Sequence, residues 1–316
     1  MVLKKSAVQN TSGKFTLKAI KRDLYVHRWI YVMALPMVVY YILFCYQPMY
    51  GAIIAFKDFS PAKGIVESPW AGVKHFRSFF KDIYFERLLR NTVSISLKTL
   101  IFGFPAPILL ALMLNEVRQQ RFKKLVQTIS YLPRFISLMV ICGLIIDFTS
   151  SKGVINDILV LFGFPRQTML INPRLFQPIY VISEIWEGVG WGSIIYLGAL
   201  TGVDMELYEA ARIDGAGRLR QIYHVSLPGI MPTVVVMLIL RMGSIMSVGY
   251  EKIILLSNSS IYETADVISS YVYRKGLLEF SYSYSSAVGL FNSLINFTLV
   301  VLANYFSRRV NETSLW

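Results

Sequence analysis

Charge is scarce in this chain. Only 16% of its 316 residues are Asp, Glu, Lys or Arg, whereas 54% are apolar. So few charges cannot keep the surface of a soluble domain of this length wet, and the mean hydropathy of +0.50 points to several membrane spans. Cysteine is nearly absent. Cys45 and Cys142 both lie inside apolar runs, which excludes a disulfide framework and a cysteine-based metal site. Three histidines, His27, His75 and His224, are scattered, so their spacing builds no zinc or hydrolase constellation. No Gly-x4-Gly-Lys-Ser/Thr loop occurs, and nothing else cradles nucleotide phosphates. Gly215-Ala-Gly217 lacks the third glycine and the preceding strand of a dinucleotide site. Acids are outnumbered, 19 against 32 Lys and Arg. In a soluble protein that excess suggests nucleic acid. In a membrane protein, basic loops and tails fix orientation, and no nucleic-acid partner is expected.

What is present is a series of long apolar runs. Residues 1–28 form a basic tail, and the apolar run that follows is too long for a signal-peptide core and has no clear cleavage site. Spans are predicted at about 29–55, 91–114, 129–148, 178–200, 228–249 and 285–306. The expected fold class is all-α, a polytopic membrane protein with six transmembrane helices, in one domain over 29–310. Basic residues crowd the span ends in the tail and in 115–128, which places both termini and residues 201–227 in the cytosol. Residues 57–90, 149–177 and 250–284 then lie outside.

One cytosolic stretch is patterned unlike the others. Asp204 is a plausible N-cap with Glu206 in the first turn. Leu207, Ala210 and Ala211 recur as on one helix face. Gly215 suits the left-handed residue that ends a helix. Leu219, Ile222 and Tyr223 repeat the spacing on a second short helix, and Pro228 is placed to open the next. Small residues at the bend let another backbone come close. Glu209-Ala210-Ala211, Gly215 and Leu227-Pro228, at these spacings, resemble the EAA loop of ABC importer permeases, with Val225 in place of the usual Ile. The resemblance implies that 201–228 is a coupling helix docking into a cleft on an ATPase subunit. Its ATPase-coupling residues would be Glu209, Ala210, Ala211, Asp214, Gly215, Leu227 and Pro228.

Polar residues inside spans are costly in lipid and therefore informative. Helix-rise arithmetic puts Arg241, Glu184, Glu187 and Asn292 about 20–24 Å above the inner ends of their spans, with Trp186, Trp191 and Tyr250 at or above that level. Acids, an amide, a guanidinium and aromatic faces suit a sugar, which offers hydroxyls and apolar ring faces. The alternative is structural: a Glu–Arg pair neutralised inside the bundle, with the tryptophans as an interfacial belt. Lys98 and Arg134, near span ends, are expected to snorkel.

The resemblance extends over about 29–310. Tyr46-Gln-Pro-Met-Tyr-Gly-Ala-Ile-Ile-Ala-Phe-Lys-Asp58, Tyr131-Leu-Pro-Arg-Phe-Ile-Ser137, Thr264-Ala-Asp-Val-Ile268 with Tyr271-Val-Tyr-Arg274, and Ser286-Ala-Val-Gly-Leu-Phe-Asn292 are similar to carbohydrate-uptake permeases. The nearest likeness is to the branch for alginate- or pectin-type oligosaccharides. It implies a type I ABC importer fold in the bacterial cytoplasmic (inner) membrane and a transport subunit rather than an enzyme. No cofactor would sit on this chain, with ATP and Mg on the partner ATPase. Expected partners are a second homologous permease as a heterodimer, two ATPase subunits, an extracellular or periplasmic sugar-binding protein, the oligosaccharide and membrane lipid. A channel or secondary transporter is the competing class. It would show inverted repeats or an ionisable chain through several spans, and neither is seen. A membrane receptor or assembly scaffold is a third.

Overall fold

Lipid offers no hydrogen bonds to a polypeptide backbone, so each long apolar run must satisfy its own amides and carbonyls as a helix. The computed structural model describes residues 24–311, so most of the basic tail, residues 1–23, lies outside the described residues. Among those described, the one β-type pairing is an isolated bridge between Lys57 and Trp70. The chain divides into two units, residues 1–53 and 54–316. The first carries most of helix α1, Arg28–Phe56, which passes through a π-helical turn at Tyr41–Tyr46.

The second unit holds α2 (Lys74–Phe80), α3 (Phe85–Glu116), α4 (Gln120–Tyr131), α5 (Leu138–Thr149), α6 (Val154–Leu161) and α7 (Pro173–Leu200). After it come α8 (Met205–Ile213), α9 (Arg218–Met242), α10 (Tyr250–Leu256), α11 (Ile268–Tyr273) and α12 (Tyr282–Asn311). Among the described residues, five stretches are long and apolar enough to cross a membrane: α1, α3, α5 with α6, α9 and α12. The remaining predicted span, the fourth, at 178–200, falls on α7. Its 28 residues reach about 42 Å, but Glu184 and Glu187 lower its apolar character. Burial explains why it tolerates them. Helices α3, α4 and α9 pack against α7, so protein rather than lipid covers much of it.

Several predicted boundaries move. The second span starts at Phe85 rather than 91. The third, expected at 129–148, is broken by a tight turn at Leu132–Phe135 containing Pro133, because proline cannot continue the α4 ladder. Helix α5 restarts at Leu138 behind Ser137, whose hydroxyl accepts the Val140 amide at 3.5 Å. Residues 120–128, expected as loop, are therefore helical. The fifth span was expected to begin at Pro228 and run to 249. Helix α9 instead begins at Arg218 and ends at Met242. A π-helical turn at Ile222–Ser226, in which the Leu227 amide reaches back to Ile222 O, absorbs the hydrogen bond that Pro228 cannot make.

Three apolar clusters hold the unit together. Ile141 and Ile145 of α5 meet Phe176, Tyr180 and Val181 of α7 and Ile253 of α10. Phe79, Leu88, Ile268, Tyr271 and Val288 pack at the α2 end, with Phe79 edge-on to Phe85 and Phe291 at 5.0 and 5.5 Å. Ile108, Leu112, Tyr196, Leu200 and Ile230 join α3, α7 and α9. Gly190 marks the tightest crossing. A Cβ there would lie 2.1 Å from the Ser130 carbonyl oxygen, so only glycine lets α4 and α7 approach this closely.

Residues 250–284, expected as a polar outer loop, are folded. Buried Asp266 accepts two hydrogen bonds from Arg274, at 2.9 and 2.6 Å, and one each from Ser270 at 2.7 Å and Arg87 at 3.3 Å. The Thr264-Ala-Asp-Val-Ile268 motif thus ties α11 to α3. A second knot sits beside it. Burial pushes the Asp82 carboxyl up, but hydrogen bonds from the Tyr271 and Tyr284 hydroxyls and the Tyr84 amide outweigh that and hold it below the usual carboxylate range.

Candidate functional site

The 204–228 stretch folds as its residues predict up to the glycine. The Asp204 carboxylate accepts the Glu206 amide at 3.0 Å and caps α8. Gly215 has φ +74°. The Ala216 amide returns to Ala211 O at 2.8 Å and the Gly215 amide to Arg212 O at 3.0 Å, a complete Schellman ending. Asp214 occupies the C-cap. The face turned to the bundle differs from the predicted one. Buried Tyr208 anchors α8, its hydroxyl 2.9 Å from Ser226 Oγ, while Leu207 is exposed. Gln221 closes the bend by donating to Ala216 O at 2.8 Å. Glu209 and Ala210 are exposed and Ala211 is half-buried. Ile213 and Leu219 are 87% and 82% exposed. Leu227, inside α9, packs against the cluster that joins α3, α7 and α9, and Pro228 beside it is exposed.

The predicted path residues do not share one place. Glu184, Trp191 and Arg241 border a cavity of about 460 Å³ together with Arg134 and Ser244. Trp186 borders a separate apolar cavity with Phe148 and Ile182. Tyr250 and Asn292 border a third, of about 450 Å³, where Tyr250 stacks on Tyr273 at 5.5 Å and Asn292 Oδ1 is buried with no hydrogen-bond partner among the described residues. Rise along a helix gives depth but not azimuth, and azimuth separates the three groups.

The structural alternative, a Glu–Arg pair inside the bundle, takes another form. Lys252, 2% exposed, holds Glu184 at 2.8 Å and Glu187 at 3.1 Å. Arg134 does not snorkel freely but lies 3.6 Å from Glu187. Lys98 donates to Gln177 Oε1 at 2.6 Å. Arg241 has no ion pair among the described residues and is exposed to the cavity, in the last turn of α9 just before the non-helical segment 243–249. Backbone that leaves the helix at this depth is tolerated where it lines a cavity. Sequence reasoning missed Lys252 because 250–284 read as an outer loop. The available signal was a lysine standing directly before the apolar run Ile253-Ile254-Leu255-Leu256.

A helical bundle with a cavity bordered by Arg134, Glu184 and Arg241 and a capped helical projection suits a transport subunit, and the relatives agree. The chain is 41% identical to Protein LplB of Bacillus subtilis (strain 168) over 316 residues, 99% of this chain and 98% of that protein. It is 44% identical over 300 residues to the polygalacturonan/rhamnogalacturonan transport system permease protein YteP of the same strain, 95% and 94% of the two chains. Its fold matches the crystal structure of a bacterial ABC transporter involved in the import of the acidic polysaccharide alginate. The TM-score is 0.85 and the identity 43%, covering 93% of this chain and 99% of that one. The model of the binding-protein-dependent transport system inner membrane component matches residues 103–312. These matches establish that the chain belongs to the binding-protein-dependent transport system inner membrane component family.

Proposed function

We propose that this importer permease subunit carries an acidic oligosaccharide, and that Arg241 receives one of its carboxylates while Trp191 offers a face to a sugar ring. The carrying observation is the charge balance of the α7–α9 cavity. Lys252 and Arg134 neutralise Glu187, Lys252 also neutralises Glu184, and Arg241 is left as the spare cation facing the cavity. A guanidinium presents a planar fork that matches a carboxylate. Support comes from the relatives, whose names and descriptions speak of polygalacturonan, rhamnogalacturonan and alginate.

An Arg241→Leu variant should form the complex in normal amounts yet take up acidic oligosaccharide about ten- to a hundredfold more slowly, the worth of one charged hydrogen-bonded contact. Uptake assays beside co-purification of the complex decide this. Normal uptake removes Arg241 from the path, and failed assembly makes it a structural residue.

The reading includes a second, homologous permease, two ATPases that bind ATP and Mg and dock at Glu209, Ala210, Ala211, Asp214 and Gly215, and an external sugar-binding protein that delivers the cargo. Tyr250 and Asn292 would lie on the delivery side of the path. Both termini and α8 are in the cytosol. In a cysteine-free background, Arg220→Cys should resist an impermeant thiol reagent in intact cells while Ser259→Cys reacts. The reverse pattern inverts the topology and removes the ATPase from reach of α8.

A further inference from the structure

A second charged site lies far from the coupling loop. Arg90 and Lys98 of α3 and Arg174 of α7 border a cavity of about 330 Å³. No Asp or Glu borders it, and among the described residues none of the three cations has an ion pair. Lys98 is half-buried, and its described hydrogen bond is to a neutral amide, Gln177 Oε1, at 2.6 Å. That oxygen also accepts Ser94 Oγ at 2.9 Å, so the ammonium keeps donors to spare. Three like charges gathered in one cleft repel each other, and an anion would relieve that repulsion.

The position limits what the anion is. Arg174 is the second residue of α7, and α8 follows the other end of the same helix, about 40 Å away. The cleft is therefore at the membrane surface opposite the coupling loop. Beneath it the protein turns apolar. Pro178, Ile182 and Trp186 follow Arg174 at four-residue steps, each about 40° further round the helix. Ile182 is 66% exposed and Trp186 42%. These two exposed side chains lie about 12–18 Å deeper than Arg174, and on their far flank α7 borders an apolar cavity of about 420 Å³ against α5 and α6. A cationic cleft at the surface with an exposed apolar ridge descending from it matches an amphiphile with a phosphate head and hydrocarbon tails. A soluble anion has no use for the ridge, and an acidic protein segment would not follow it into the apolar layer.

We propose that this cleft is a binding site for an anionic phospholipid, its headgroup phosphate held by Arg90, Arg174 and Lys98 and an acyl chain lying along the Pro178–Ile182–Trp186 flank of α7. The lipid would brace α3 against α7, the two helices that carry the cavity of the transport path.

The test is native mass spectrometry on the whole purified transporter, offered phosphatidylglycerol or phosphatidylcholine of the same chain length. The wild type should retain phosphatidylglycerol in preference. Arg90→Gln with Arg174→Gln should weaken that retention about fivefold for each charge removed, and Arg90→Lys with Arg174→Lys should restore most of it. Both arginines are exposed, so the variants remain foldable. Equal retention of the two lipids, or unchanged retention in the double Gln variant, overturns the proposal. Displacement of the lipid by inorganic phosphate alone would make this a site for a soluble anion and overturn the lipid assignment. Retention unchanged while docking of the external binding protein is lost would give the cleft to that protein instead.

Discussion

A Lys252→Met variant is expected to be markedly less stable than the wild type. Lys252 is buried, and its ammonium holds two carboxylates of α7, Glu184 at 2.8 Å and Glu187 at 3.1 Å. Removing one side of a buried pair leaves charge uncompensated, which typically costs 3–5 kcal/mol, a large share of the 5–15 kcal/mol that stabilises an ordinary domain. Arg134 softens the loss at Glu187 from 3.6 Å but does not reach Glu184. The readouts are the yield of monodisperse complex in detergent and its unfolding temperature. Glu184→Gln with Glu187→Gln in the Lys252→Met background should recover much of the stability, because neutral amides need no counter-charge. A single Lys252→Met that is as stable as the wild type would mean that water, not Lys252, solvates the pair. The triple variant separates structure from transport: restored stability with absent uptake would place the carboxylates in the sugar path.

The second large effect belongs to the coupling loop. Gly215→Leu should leave the isolated permease folded but reduce transport at least tenfold. Gly215 has φ +74° and open space where a Cβ would point, so the local cost is the left-handed backbone, about 1–2 kcal/mol, with no clash inside the chain. That strain falls on the Schellman ending that aims Ile213 and Leu219 outward. Glu209→Ala should act differently, weakening ATPase docking by a few kcal/mol if its carboxylate meets a cation across a partly dry interface. Neither residue lies in a span, so assembly with the second permease should be unaffected. Co-purified ATPase and sugar-stimulated ATP hydrolysis in liposomes report the two effects separately. Wild-type hydrolysis and uptake in both variants would remove 201–228 as the coupling element.

Local signals in the sequence carried far into this structure. Asp204 as cap, Gly215 as left-handed terminator and the apolar lengths of α1, α3, α9 and α12 follow from effects that act within a few residues: side-chain capping, the missing Cβ, the hydrogen bonding that lipid enforces. Family membership was legible for the same reason, since the EAA spacing is contiguous. Legibility failed where partners are distant in the chain. Tyr208 rather than Leu207 faces the bundle because Ser226, eighteen residues on, waits there. Residues 250–284 read as a loop because their polar groups, Lys252 and Asp266 among them, find partners on α7 and α3, out of view of any local window.

By itself, then, the sequence determined the helical class, the apolar runs that form the long helices, and the 204–215 helix with its caps, because each depends on neighbours along the chain. The tertiary structure alone decided which charges cancel and which remain free. Glu184 and Glu187 go to Lys252 across 65 and more residues, Arg241 is left to the cavity, and the seven proposed path residues divide among separate surfaces. Depth in a membrane is proportional to residue number along a helix and can be counted. Facing is set by how the helices roll against one another, and that follows from packing at contacts such as Gly190 on Ser130, which no single segment encodes.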